Sequence, residues 1–145
     1  MLKLKRFHKA TKDSWGTKPL ESFSLVTLDI KLTSEEFELL SYGSIPESMD
    51  NHWFGYMENN QYYLFRSWTG TATHIIEFNV QSNGSVRAVI AMVVSWWRNF
   101  DSEPPHIFIE DHIKSVINRN KYYKFGAYEN YLIKEFGKDK VKIIK

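Results

Sequence analysis

The chain has 145 residues, a net charge of +2, 43% hydrophobic and 16% aromatic residues, and no cysteine. That length suits one domain, 1–145, with a sizeable core, and the missing cysteines exclude disulfides and thiolate zinc sites. They also point to a soluble, cytoplasmic protein: no apolar run of signal-peptide length follows Met1, and the longest, 88–94, is far short of a membrane span.

Residues 1–20 hold six Lys or Arg against one acid and show no clear period, so irregular structure or a short strand at 2–7 is expected. Residues 121–145 are basic too, and the hundred between carry a net charge of −7. Basic ends on an acidic body form an anion-binding surface if they meet in space, and are otherwise two solvated termini. From Ser22 to Leu32 the apolar residues Val26, Leu28, Ile30 and Leu32 alternate with polar ones, as in a half-buried strand. Thr33 and Glu36 have the spacing of a capping box. The helix they open has Phe37, Leu39 and Leu40 on its apolar side, and Gly43 suits its left-handed end.

Ile45-Pro46-Glu47-Ser48-Met49-Asp50-Asn51-His52 leads into two aromatic-rich runs, 53–58 and 61–68. Asn59-Asn60 joins them and tolerates the positive φ of a two-residue hairpin turn. That turn sets Trp53 opposite Arg66 and Phe54 opposite Phe65, with Trp53, Gly55, Met57, Tyr62, Leu64, Arg66 and Trp68 sharing one face. A cation–π contact of Arg66 with Trp53 would contribute about 0.5–2 kcal/mol. After a loop at 69–73, His74, Ile76, Phe78 and Val80 alternate, and 82–85 reads as a hairpin turn. The returning strand, 86–94, is apolar on both faces, which suggests a central, doubly covered position. Ser95-Trp96-Trp97-Arg98-Asn99 ends it with a second Trp/Arg cluster, Trp97 and Arg98.

Pro104-Pro105 opens an amphipathic helix over 105–119. Tyr128, Leu132 and Phe136 mark another that ends at Gly137, and 141–144 suits a short closing strand. The order of elements argues α+β: an antiparallel meander of four to five strands, with helices packed mainly on one face. The opposite face is then open to solvent or ligand.

His106 and His112 are six apart, off a shared helix face, and no HExxH or HxH occurs, so no metal site and no cofactor are expected. There is no GxGxxG, GxxxxGK or GxSxG. Glu47, Asp50 and His52 are the candidate catalytic groups. Paired carboxylates divide acid and base roles and a histidine titrates near neutrality, although all three equally suit turns and ion pairs. Trp53, Arg66, Ser67, Trp68 and Thr69 are the candidate ligand contacts. Guanidinium and hydroxyl groups hold phosphate or carboxylate, indole faces stack on rings, and Gly70 allows close approach. A packed Trp/Arg corner accounts for the same residues.

The run Ile45-Pro46-Glu47-Ser48-Met49-Asp50, then Trp53-Phe54, Tyr63 and Arg66-Ser67-Trp68-Thr69-Gly70, resembles the signature of an uncharacterised bacterial family. Some members carry it beside a macro domain, the ADP-ribose-binding module. The match covers about thirty residues, 45–76, and departs at Asn51-His52, where relatives often carry a charge. The resemblance implies a role near nucleotides, ADP-ribose or NAD metabolism and supplies no catalytic residue. The leading expectation is a small-molecule binding module for an anionic, ring-bearing ligand. Alternatives are nucleic-acid binding by basic ends and exposed aromatics, a nucleotide hydrolase or transferase using Glu47, Asp50 or His52, and a protein-interaction subunit or homo-oligomer. No membrane partner is expected.

Overall fold

The computed structural model describes residues 2–4, 9–46, 52–99, 103–124 and 133–143. Its strands are β1 (Leu2–Leu4), β2 (Phe23–Leu32), β3 (Trp53–Glu58), β4 (Gln61–Arg66), β5 (Ala72–Val80), β6 (Val86–Val94) and β7 (Val141–Ile143). Five form an open antiparallel sheet in the order β2-β6-β5-β4-β3, so β3 to β6 is a meander and β2 joins it beside β6. Helices α1 (Ser34–Ser41) and α2 (Pro105–Lys124) contribute Leu39, Leu40, Ile109, Ile113, Val116 and Ile117 to one core with Tyr62, Leu64, Ile76, Phe78, Ala91 and Val93 of the sheet. The architecture is α+β, with helices on one sheet face.

Local chemistry sets the elements that frame the hairpin. Asn59 and Asn60 take φ of 52° and 61°, and the β3–β4 register follows from that turn: Glu58 opposite Gln61, Trp53 opposite Arg66. Thr33 Oγ1 accepts from the Glu36 amide while the Glu36 carboxylate accepts from the Thr33 amide, so the capping box closes α1 at its start. At its other end the buried Asn120 of α2 donates to the carbonyls of Leu39 and Gly43, at 2.8 and 3.0 Å. Gly43, at φ +69°, is the left-handed residue after α1. A Cβ there would strike the Gly55 carbonyl oxygen, because Ser44 and Gly55 exchange two backbone hydrogen bonds along the edge of β3. Gly55 in turn makes room for the Tyr62 phenol, which occupies the place a side chain would need.

Several elements differ from the expectation. α2 continues to Lys124, five residues beyond 119, because no Gly or Pro interrupts it and Asn120 is satisfied by α1. The strand expected over 61–68 ends at Arg66, where the chain turns. β6 is central in the sheet, yet only one of its faces is fully covered: Arg87, Val89, Ile90 and Met92 are half-buried. Conversely, the face opposite the helices is not open throughout. The N-terminal segment crosses it, and Ala10, Trp15 and Leu20 pack there with Phe54, Tyr56, Tyr63, Phe65 and Ala72. Of the expected strand at 2–7, residues 2–4 are extended, and they pair in parallel with β7. Residues 133–136 are helical and Gly137 takes φ +93°, as expected for that helix end; its first part lies outside the described residues.

Candidate functional site

The hairpin places Trp53 at the start of β3 beside Arg66 at the end of β4, and the guanidinium carbon lies 5.2 Å from the Trp53 ring centroid. Arg66 is exposed, and no carboxylate among the described residues pairs with it; the ion pairs there are Arg87–Asp29 and Lys114–Glu110. At that distance the cation is attracted to the indole ring, and a guanidinium carries a fork of N–H donors that suits planar anions. His52, just before β3, is exposed, and its ring centroid is 6.0 Å from that of Trp68, itself 67% exposed. Glu47 and Asp50 lie outside the described residues, as does the side chain of Arg98.

The rest of the 66–70 run builds a turn. Gly70 N–H donates to the Arg66 carbonyl at 2.8 Å, and Arg66 N–H donates to the Thr71 carbonyl at 2.9 Å. The Thr69 hydroxyl accepts from Thr71 N–H at 3.2 Å. Ser67 is buried, with its amide on the His52 carbonyl and its own carbonyl accepting from Trp15 Nε1–H at 2.8 Å. Gly70, at φ +70°, does permit a close approach, but the backbone that approaches is Gly16: a Cβ would meet the Gly16 carbonyl oxygen, and Lys18 N–H donates to the Gly70 carbonyl at 2.7 Å. The N-terminal segment therefore clamps this turn and sets where Arg66 and Trp68 stand.

Trp53 also connects the rim to a buried cluster. Its ring lies 6.0 Å from Trp97, 5.3 Å from Phe108 and 5.7 Å from His112, so the two Trp-bearing clusters of the sequence meet here. Trp97 is 8% exposed and belongs to the core. His74, fully buried on β5, packs edge-on to Trp97 at 4.7 Å and stacks on Phe108 at 5.2 Å. Its Nδ1 lies 2.8 Å from Thr73 Oγ1, which is also 3.3 Å from the Leu64 carbonyl oxygen. Among the described residues, His74 Nε2, His112 Nε2 and Trp97 Nε1 have no hydrogen-bond partner.

Burial holds both histidines neutral. The His74 imidazole is pushed down to about 3 by desolvation, with the nearby His112 acting in the same direction. His112 is pushed down to about 4 by desolvation. Their convergence is missed by spacing within the sequence. The available signals are the core-face position of His74 in its alternating strand and the four-residue step from Phe108 to His112 on one helix side. No group of three or more His, Cys, Asp or Glu among the described residues is arranged to hold a metal ion. Comparison with known proteins finds no family model, no curated protein and no solved structure that matches the chain.

Proposed function

We propose that the protein binds a small anionic, ring-bearing ligand of the nucleotide, ADP-ribose or NAD-derived type at the rim formed by Arg66, Trp68 and His52. The observation that carries this reading is the exposed Arg66 guanidinium, seated 5.2 Å from Trp53 and unpaired with any described carboxylate. A guanidinium held there would grip a phosphate or carboxylate through its N–H groups. Trp68 and His52 present ring surface for stacking beside it. Ser67 and Thr69 act here through the turn they build. The resemblance of residues 45–76 to proteins found beside macro domains favours the nucleotide class within this chemistry, and a cytoplasmic setting goes with it.

Titration of tryptophan fluorescence with ADP-ribose, NAD and AMP tests the reading directly, with saturable quenching by at least one of them expected. Lysine keeps the charge of Arg66 and loses the planar fork, so Arg66→Lys should retain its melting temperature and bind about tenfold or more weakly, the scale of one charge-assisted hydrogen bond of about 1.5–3 kcal/mol. Undiminished affinity in a folded Arg66→Lys protein would remove Arg66 from the site. Absence of saturation with all three ligands would remove the nucleotide class.

A further inference from the structure

The N-terminal segment packs on the β3–β4 half of the sheet face opposite the helices, and the half made by β2, β6 and β5 is the more open one. There Leu25 is 63% and Phe23 46% exposed, while Ile75, Ile90 and Met92 are half-buried. Their neighbours Val26, Ile76 and Ala91 belong to the helix-side core, so strand alternation turns this set the other way. Pairing lines the set up in rows. Leu25 is in register with Met92 and Met92 with Ile75; two residues along, Thr27, Ile90 and Glu77 form the next row. Further on, Lys31 is in register with Arg87 and Arg87 with Asn79. Arg87 is ion-paired with Asp29 at 3.1 Å, whereas neither Lys31 nor Glu77 has an ion pair among the described residues. These four charges cancel, so the face gives no net hold on a polyanion or an anionic membrane.

We propose that this face packs on the same face of a second copy of the chain, sheet on sheet, about a two-fold axis running along β6. A two-fold interface needs a patch complementary to itself, and the rows supply one. Rotation about β6 lays β2 of one copy over β5 of the other, and β6 over β6. Leu25 then faces the second copy's Ile75, and Met92 faces Met92. Lys31 comes over Asn79 of the second copy, two residues along the strand from the Glu77 carboxylate, within a lysine's reach. Sheets packed this way keep their strands within about 30° of each other and lie about 10 Å apart, the thickness of one interdigitated layer of side chains. With strands about 4.8 Å apart and a rise of about 3.3 Å per residue, the three strands present on the order of 400–600 Å² per copy. Two such faces bury about 1,000 Å² in total, the lower end for a specific interface, so the dimer is weak and reversible.

The chain lacks cysteine, so a single introduced thiol reports its own neighbour. Under mild oxidation at about 100 μM, where a weak interface of this size is populated, Met92→Cys should give a disulfide-linked dimer. Leu25→Cys and Ile75→Cys should each give little alone and cross-link when mixed, because a disulfide needs Cα atoms within about 7 Å and each residue lies one strand off the axis. Asn83→Cys, exposed in the β5–β6 turn, is the control and should stay monomeric. In sedimentation velocity the parent's sedimentation coefficient should rise with concentration over the same range, and that of Leu25→Asp should not. Lys31→Glu should weaken association about threefold, the scale of an exposed ion pair, and Lys31→Glu/Glu77→Lys should restore it. Denaturation midpoints identify the folded variants, and the cysteine pairs decide should Leu25→Asp fail to fold. A parent that stays monomeric overturns the proposal, as does association that a folded Leu25→Asp leaves unchanged. Self-cross-linking of Leu25→Cys as fast as that of Met92→Cys would overturn the axis along β6. A monomeric parent that binds a fluorescent apolar dye, with the binding lost in Leu25→Asp, would give the face to a different partner.

Discussion

On one face of the β3–β4 hairpin lie Phe54, Tyr56, Phe65 and Trp15; on the other Trp53 joins Trp97, Phe108, His74 and His112. Both are aromatic clusters, and they treat their polar atoms differently. In the first, Trp15 Nε1 donates to the Ser67 carbonyl, the Tyr63 hydroxyl donates to Gln61 Oε1, and Tyr56 and Tyr63 stack at 4.8 Å. In the second, three ring nitrogens lack partners among the described residues. A satisfied cluster is a fastening, and here it ties the N-terminal segment to the sheet. A cluster with unanswered nitrogens is a place where folding has an electrostatic cost, and where a change of charge state or a new contact has large effects.

The sharpest way to break this contrast is to empty the fastening. Phe54 is fully buried, so Phe54→Ala should cost about 3–5 kcal/mol in chemical denaturation. A loss below about 1 kcal/mol would mean that the N-terminal segment is not bound through this face. The histidine face gives the next effect, read by pH. An unfolded chain protonates both imidazoles near 6.5, whereas the folded protein resists until about 4 at His112 and about 3 at His74. The unfolded state therefore holds more protons in that window, and stability falls as pH drops from about 6.5 towards 4 and 3. Each histidine contributes a slope of about 1.4 kcal/mol per pH unit where only its unfolded form is charged. Urea midpoints of the parent and His112→Phe between pH 6.5 and 4.5 should diverge accordingly, the variant being flatter; parallel curves would place His112 in contact with solvent. The smallest effect is at Trp15. Trp15→Phe keeps the stacking on Phe54 but loses the hydrogen bond to Ser67, and about 1 kcal/mol should follow. No change on denaturation would show that the turn at 67–70 stands without its clamp.

What was legible in the sequence was local. The Asn59-Asn60 turn is two residues long, so it sets the register of β3 against β4 and with it the Trp53–Arg66 contact. Thr33 and Glu36 specify the start of α1 from four consecutive residues. The strand–turn–strand pattern around Gly84 is of the same kind. The features that escaped are those that depend on segments far apart in the chain. Residues 9–20 have no periodicity because they make single contacts as they cross the sheet, at Ala10, Trp15 and Lys18, and do not form a repeating face. For the same reason the Ser67–Gly70 run read as a site with close ligand access, while its glycine serves the chain's own backbone. His74 and His112 come together only because β5 and α2 lie against each other, which neither segment announces.

The backbone bridge between Ser44 and Gly55 has a consequence for how the molecule meets its own copies. An open sheet offers two unpaired edges, each a template on which a foreign strand can grow. Ser44 occupies hydrogen-bonding positions on the β3 side, so that template is interrupted midway along a six-residue strand. On the opposite side β2 is ten residues long, but its pairing with β6 is irregular between Thr27 and Ile30, and Asp29 and Lys31 stand exposed in the second half of the strand. A charged, bulged border resists edge-to-edge pairing. Two unrelated local devices, a glycine that lets a loop come close and an irregularity flanked by charge, thus discourage the aromatic-rich sheet from extending into an aggregate.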